Sequence, residues 1–265
     1  MKAGVCTIAM KDLPLAEVIE TCARAGAQGI ELWGRAPHLP APSDRAGVAR
    51  LKRHLRGAGL ELAALGSYVR PGPEPPVSDE EDPRRILDAA AELDCRLVRI
   101  WAGRKEHAES TSAEREVVYE GIRRIADDAP AAGCRLVLER HNNTLTNSWV
   151  SAGEVIAALS SDLVRLCYQI PYPVPAQDLR NRADADFNLL AISAHAHLQN
   201  YREQPDGSLE RSLLAEGIVD YGSFGERARR AGYDGYAMVE FVAPDRGELN
   251  VQEALAADLA YIRSL

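Results

Sequence analysis

RLVLERH, residues 135–141, reads as a short apolar strand ending on a carboxylate, Glu139, and an imidazole, His141. Three later runs share that design: RLCYQIP (165–171) carries Gln169, SAHAHLQN (193–200) carries His197, and YAMVEFV (236–242) carries Glu240. Each polar residue stands near the C-terminal end of its run, just before a loop. In a parallel barrel those ends converge on one face, so residues far apart in sequence can meet there. The four residues form a candidate divalent-metal site.

Working outward, short runs rich in Val, Ile and Leu alternate with longer amphipathic segments along the whole chain, the pattern of repeated βα units. Eight strands are expected, at 3–9, 29–33, 60–66, 97–101, 135–140, 164–169, 189–198 and 236–241. Helices are expected at 13–25, 44–57, 83–93, 113–129, 151–159, 220–231 and 251–263, with a short polar sixth element in AQDLRNRADAD (176–186). Eight units in 265 residues give about 33 residues each, the size of a single-domain (β/α)8 TIM barrel spanning 1–265. A doubly wound open sheet would carry a glycine-rich phosphate turn after strand one. Strand one instead runs into AMKDLP (9–14), with no G-x-G-x-x-G.

Local punctuation agrees. Gly26, Gly59, Gly133 and Gly232 each precede a strand, where a left-handed residue stops a helix. Ser151 and Asp220 stand at helix starts as N-caps, and Pro130 should end the fourth helix early. The stretch SYVRPGPEPPVSDEEDP (67–83) has linker composition but falls inside the eight-unit count. It reads as a long loop at the barrel top, over the site.

Composition narrows the function. The chain is 46% hydrophobic and 26% charged, an ordinary globular balance. A net charge of -8 and the lack of a dense Lys/Arg block oppose binding to a phosphate backbone, so no nucleic-acid partner is expected. Arg227, Arg229 and Arg230 have the spacing of a solvated helix face. The five cysteines, Cys6, Cys22, Cys95, Cys134 and Cys167, include no C-x-x-C pair and read as reduced, mostly buried thiols of a cytoplasmic protein. No run approaches the ~18 apolar residues a membrane span needs.

Alternation of side chains places Glu139 with His141, His195 with His197, and Glu31 with Trp33. Two carboxylates, one imidazole and one amide oxygen form an oxygen-rich donor set, suited to Mn²⁺, Mg²⁺ or Co²⁺ rather than structural zinc.

GIELWG (29–34), LVRIWAG (97–103), LVLERHNNTLTNS (136–148), HAHLQN (195–200) and GYDGYAMVEFV (232–242), in this order and spacing, resemble the xylose isomerase-like TIM barrel superfamily of sugar isomerases and epimerases. The resemblance covers essentially the whole chain. It implies metal ligands on strands five to eight, which fall on Glu139, Gln169, His197 and Glu240. Gln169 departs from the family's acid there; its neutral amide removes one negative charge, weakening the hold on the metal and leaving it a stronger Lewis acid. The resemblance also implies a mechanism in which Glu139 and Glu240, on opposite sides of the substrate, act as base and acid through an enediolate. Return of the proton to the other face gives epimerisation, return at the neighbouring carbon gives isomerisation, and a leaving group β to the carbanion gives elimination.

The expectation is therefore a divalent-metal-dependent isomerase or epimerase of a ketose or keto-sugar, with a dehydratase or carbon–glycoside lyase as the alternative. An endonuclease-like hydrolase would need more His and Asp ligands than the strand ends supply. A non-catalytic sugar-binding barrel or subunit is the remaining alternative, and Gln169 keeps it open. Trp33 and Trp101 suit stacking on a sugar face. His141 and His195 suit hydrogen bonds to hydroxyls or orientation of Glu139 and His197, and Arg202 suits an anionic group. Glu31, Arg99 and Asn142 complete the candidates. No Arg/Lys cluster is evident after strands seven and eight, so a non-phosphorylated small sugar is expected, with homo-oligomerisation left open.

Overall fold

The computed structural model describes residues 1–41, 44–170, 175–177, 179–180, 187–242 and 250–265. Eight parallel strands close into a barrel in the order β1-β10-β7-β6-β5-β4-β3-β2. They are β1 (Lys2–Cys6), β2 (Gly29–Trp33), β3 (Glu61–Gly66), β4 (Leu97–Ile100), β5 (Arg135–Glu139), β6 (Val164–Tyr168), β7 (Ser193–Leu198) and β10 (Tyr236–Val239). All eight expected strands form. Their Val, Ile and Leu side chains are nearly all sequestered, as expected for a sheet covered on its outer face by helices and filled within.

The helices are α1 (Leu15–Arg24), α2 (Arg45–Gly57), α3 (Pro83–Leu93), α4 (Ser112–Asp128), α5 (Trp149–Leu159), α6 (Tyr221–Arg230) and α7 (Val251–Ser264). The first six return the chain to the bottom of the barrel before the next strand. Gly26, Gly59, Gly133 and Gly232 take φ between +66° and +83°, the left-handed turn from helix to strand. Asp220 caps α6 through Gly222 N–H. Pro130 does end α4: the chain tightens into a 3₁₀ turn over Ala129–Ala132. The expected sixth element, 176–186, lies mostly outside the described residues. Among the described residues, no helix is long and apolar enough to cross a membrane.

Three local expectations need correction, and one element was missed. Ser148, not Ser151, caps α5; Ser151 is its partner in a capping box three residues on. Strand one stops at Cys6, and Thr7–Met10 forms a 3₁₀ turn. Strand seven starts at Ser193 because Phe187–Ile192 coils into 3₁₀ turns, whose Phe187 packs on Tyr168, Tyr221 and Phe224. An antiparallel hairpin, β8 (Asn200–Glu203) with β9 (Leu209–Ser212), follows strand seven and was not anticipated.

Candidate active site

The barrel's C-terminal mouth is built by side chains on or one residue past the strand ends. Register irregularities at Ile30/Glu31 and Leu166/Cys167 lie beside it, where bulges commonly re-aim side chains. A cavity of about 210 Å³ is lined by Glu31, Arg99, Glu139, His197 and Glu240, with Trp33, Trp101, Tyr68 and His141 around them. Tyr68, from the long loop after β3, receives a hydrogen bond from Trp33 Nε1 at 2.7 Å, so that loop does reach the site.

Donor atoms of Glu139, His197 and Glu240 all lie within 4.8 Å of one another. His197 Nδ1 is 3.4 Å from Glu139 Oε1 and 3.6 Å from Glu240 Oε1. Gln169 Oε1 lies 3.2 Å from the same nitrogen, and its amide donates to Glu240 Oε1 at 3.4 Å. The four residues read from the strand ends therefore converge.

Beneath them sits Glu31, 2% exposed. It accepts from His197 Nε2 at 2.7 Å and His195 Nε2 at 2.8 Å, and Arg99 approaches at 3.4 Å. Burial opposes the Glu31 charge, yet His197, together with the hydrogen bond from His195, holds the carboxyl well below its usual range. Because the carboxylate can only accept, it keeps a proton on His197 Nε2 and turns Nδ1 toward the cluster. Glu139 is anchored in a similar way. Arg99 Nη1 lies 3.0 Å from Oε2, and Trp101 Nε1 donates to the same oxygen. Burial works against the Glu139 charge, but Arg99 beside it outweighs that and brings the carboxyl down to about 2. Glu240 Oε2, by contrast, is buried without a hydrogen-bond partner among the described residues.

This donor set fits a divalent cation: two carboxylates, one imidazole nitrogen and one amide oxygen, with a buried carboxylate oxygen lacking a counterpart among the described residues. Two other groupings, Cys6–Glu31–His197 and Cys167–His195–His197, are equally compact. Burial pushes both thiols up, Cys167 to about 11, which disfavours the thiolate that a metal would bind. All five cysteines are free and buried.

Two anticipated substrate contacts do not line the cavity. His195 is fully enclosed below Glu31, where burial depresses its pKa and keeps it neutral. Its place is that of a support for Glu31. Arg202 lies on β8, pairs with Glu216 and is substantially exposed. Trp33, Trp101 and His141 do line the site, and His141 Nδ1 donates to Asn142 O at 2.7 Å.

A family model described as xylose isomerase-like TIM barrel matches residues 19–265. The chain belongs to this family. Among its relatives, a 3-dehydroshikimate dehydratase of Bacillus anthracis is 24% identical over 165 residues, 59% of this chain and 57% of that one. The alignment thus spans little more than half of that dehydratase. A fructoselysine 3-epimerase of Shigella flexneri is 21% identical over 259 residues, 91% of this chain and 90% of that protein. Two solved structures share the fold. A probable 3-DHS dehydratase from Bacillus anthracis superposes with a TM-score of 0.77 at 20% identity, covering 99% of both chains. A Mycobacterium smegmatis protein in complex with magnesium gives 0.73 at 19% identity, covering 99% of this chain and 95% of that one.

Proposed function

We propose that this xylose isomerase-like barrel is a divalent-metal-dependent isomerase or epimerase of a ketose or keto-sugar. The observation that carries the reading is the convergence of Glu139, Gln169, His197 and Glu240 on one point of the barrel mouth. These four residues would hold the cation, with Mn²⁺ our assignment from the oxygen-rich donors. When bound, it would supply Lewis acidity toward the carbonyl and hydroxyl oxygens of a sugar.

The chain's own groups divide the remaining work. Glu139, ionised between Arg99 and Trp101, takes the proton from the carbon beside the substrate carbonyl. Glu240, whose Oε2 has no partner among the described residues, carries the proton that is returned from the other side. Glu31 fixes His197 from below. Trp33 and Trp101 supply apolar faces for the sugar ring, and the loop bearing Tyr68 narrows access of water. Return of the proton to the opposite face or to the neighbouring carbon gives epimerisation or isomerisation.

Elimination is the second reading, favoured by the dehydratase relative. The first proton transfer is the same, and loss of a hydroxyl β to the carbonyl replaces proton return.

The test is incubation of Mn²⁺-loaded protein with keto-sugars and keto-sugar acids in deuterated water. Deuterium should appear at a carbon next to the carbonyl, and product mass then separates isomer from dehydrated product. Exchange absent from every compound, with manganese bound, contradicts both readings.

A further inference from the structure

Gln199 stands two residues past His197, just beyond the end of β7, and is 3% exposed. Neighbouring tyrosines hold it at three points. Tyr221 Oη accepts from its backbone N–H at 3.3 Å and donates to its carbonyl oxygen at 2.7 Å. Tyr201 Oη donates to Oε1 of the side chain at 2.6 Å. With Oε1 taken, the amide has one orientation, and Nε2 makes no hydrogen bond among the described residues.

This amide lines a second cavity of about 190 Å³ beside the candidate cation site, and His141, Glu240 and Phe241 wall both spaces. Arg211, from the hairpin, lines it too, and its Nε is buried without a hydrogen-bond partner among the described residues. Enclosed donors are normally paired, so two that converge on one cavity call for an oxygen that accepts from them. Neither cavity alone reaches the ~300 Å³ at which small-molecule pockets begin, and the two together do.

We infer that Gln199 is a specificity-determining residue whose Nε2 donates to a hydroxyl oxygen on the tail of a keto-sugar, while the carbonyl end of that sugar lies among Glu139, His197 and Glu240. This rests on the cation-dependent reading above and adds a minimum length to it. The tail must pass Glu240 to reach the second cavity, which a three-carbon ketose cannot do. A hydroxyl suits the space because it accepts from Gln199 and keeps its own proton to donate. Tyr201 is the positioning residue: its hydroxyl prevents the amide from turning its oxygen toward the sugar, so binding freezes no further rotamer.

The test uses Mn²⁺-loaded wild type, Gln199→Met and Tyr201→Phe, titrated calorimetrically with dihydroxyacetone and with the four D-ketohexoses. Wild type should bind its best ketohexose at least about tenfold more tightly than dihydroxyacetone. Gln199→Met, which keeps the shape and removes the amide, should weaken that ketohexose by roughly fivefold to fiftyfold and leave dihydroxyacetone within about twofold. Tyr201→Phe should show a smaller loss of the same kind, because its amide is free to rotate. Mn²⁺ affinity and circular dichroism should match wild type in both variants, which separates loss of a ligand contact from damage to the barrel. Dihydroxyacetone binding as tightly as every ketohexose, binding of none of the five, an unchanged ketohexose affinity in Gln199→Met as for a cavity that holds water alone, or an equal loss for both lengths of sugar overturns the inference. Deuterium exchange, run in parallel, separates the two claims. Exchange into dihydroxyacetone and ketohexoses alike, without a preference that depends on Gln199, removes only the tail subsite. A preference that depends on Gln199, without exchange into any compound, removes only the catalytic reading.

Discussion

Glu31 Oε2 lies 2.7 Å from His197 Nε2, while the other imidazole nitrogen faces Glu139, Gln169 and Glu240. One buried carboxylate thus decides which nitrogen of His197 is left for a cation. Replacing it by an amide that can rotate to donate loosens that control. Glu31→Gln is expected to lower Mn²⁺ affinity by roughly tenfold to a hundredfold, the usual effect of removing a ligand's orienting partner. Calorimetric titration checks this, and circular dichroism verifies that the barrel persists. Unchanged affinity would reduce Glu31 to a packing role.

Gln169 supplies an amide oxygen where a carboxylate would add a charge. Gln169→Glu is expected to tighten Mn²⁺ by roughly tenfold or more, about 1.4 kcal/mol of added attraction. Competition against a metal-sensitive dye measures it. Weaker binding would mean that Gln169 does not face the ion.

Gly66 is needed for close approach. A Cβ there would lie 2.6 Å from Glu31 Oε1 and 2.8 Å from Arg99 Nη2, driving apart the groups that anchor the floor of the site. Gly66→Ala should cost about 1–3 kcal/mol by urea unfolding and weaken Mn²⁺ binding with it. Gly57, near the end of α2, has nothing within 4 Å of its Cβ position. Gly57→Ala should instead add about 0.5–1 kcal/mol. Equal effects at both positions would contradict this reading of the floor.

Away from the mouth, Asp258 on α7 is buried and accepts from Leu214 N–H at 2.7 Å. Burial pushes its carboxyl up to about 7. An unfolded aspartate titrates near ~4. Between those values the folded protein keeps a proton that the unfolded chain has released. Its contribution to stability is therefore full below about pH 4 and is lost as pH rises through about 7, by a few kcal/mol at ~1.4 kcal/mol per unit. Asp258→Asn keeps the acceptor and removes the titration. Relative to wild type it should gain stability between pH 5 and 8 in thermal or urea unfolding, and a difference independent of pH would refute the assignment.

Much of this was legible in the sequence, for physical reasons that also mark where reading fails. Strands such as Leu136–Leu138 and Leu97–Val98 are apolar runs that follow a residue in the left-handed conformation, Gly133 and Asp94, which ends the helical turn before them. Position at the C-terminal strand ends was enough to bring Glu139, Gln169, His197 and Glu240 together. Parity does not report depth. His195 shares a face with His197 yet lies beneath Glu31, out of reach of the cavity. Neither does it reveal short polar strands. NYRE and LERS carry too little apolar patterning to announce a hairpin, so Arg202 is the only arginine of the two that the sequence reading names. In the register, Arg202 faces Glu210 and Arg211 faces Tyr201. Adjacent pairs along the ladder project to opposite sides, which turns only Arg211 toward the mouth. Leu189–Ile192 reads as strand by hydrophobicity, but it belongs to the 3₁₀ run Phe187–Ile192, whose Phe187 packs on Tyr168 and Phe224.

The central claim is that one cation belongs among residues on four different strands. A crystal soaked in manganese and recorded near the manganese absorption edge tests it most directly. The account predicts a single strong anomalous peak at ligand distance, ~2.0–2.3 Å, from Glu139, His197 Nδ1, Glu240 and Gln169 Oε1. A mouth without such a peak under saturating manganese, or a peak beside Cys167 and His195 instead, would contradict it.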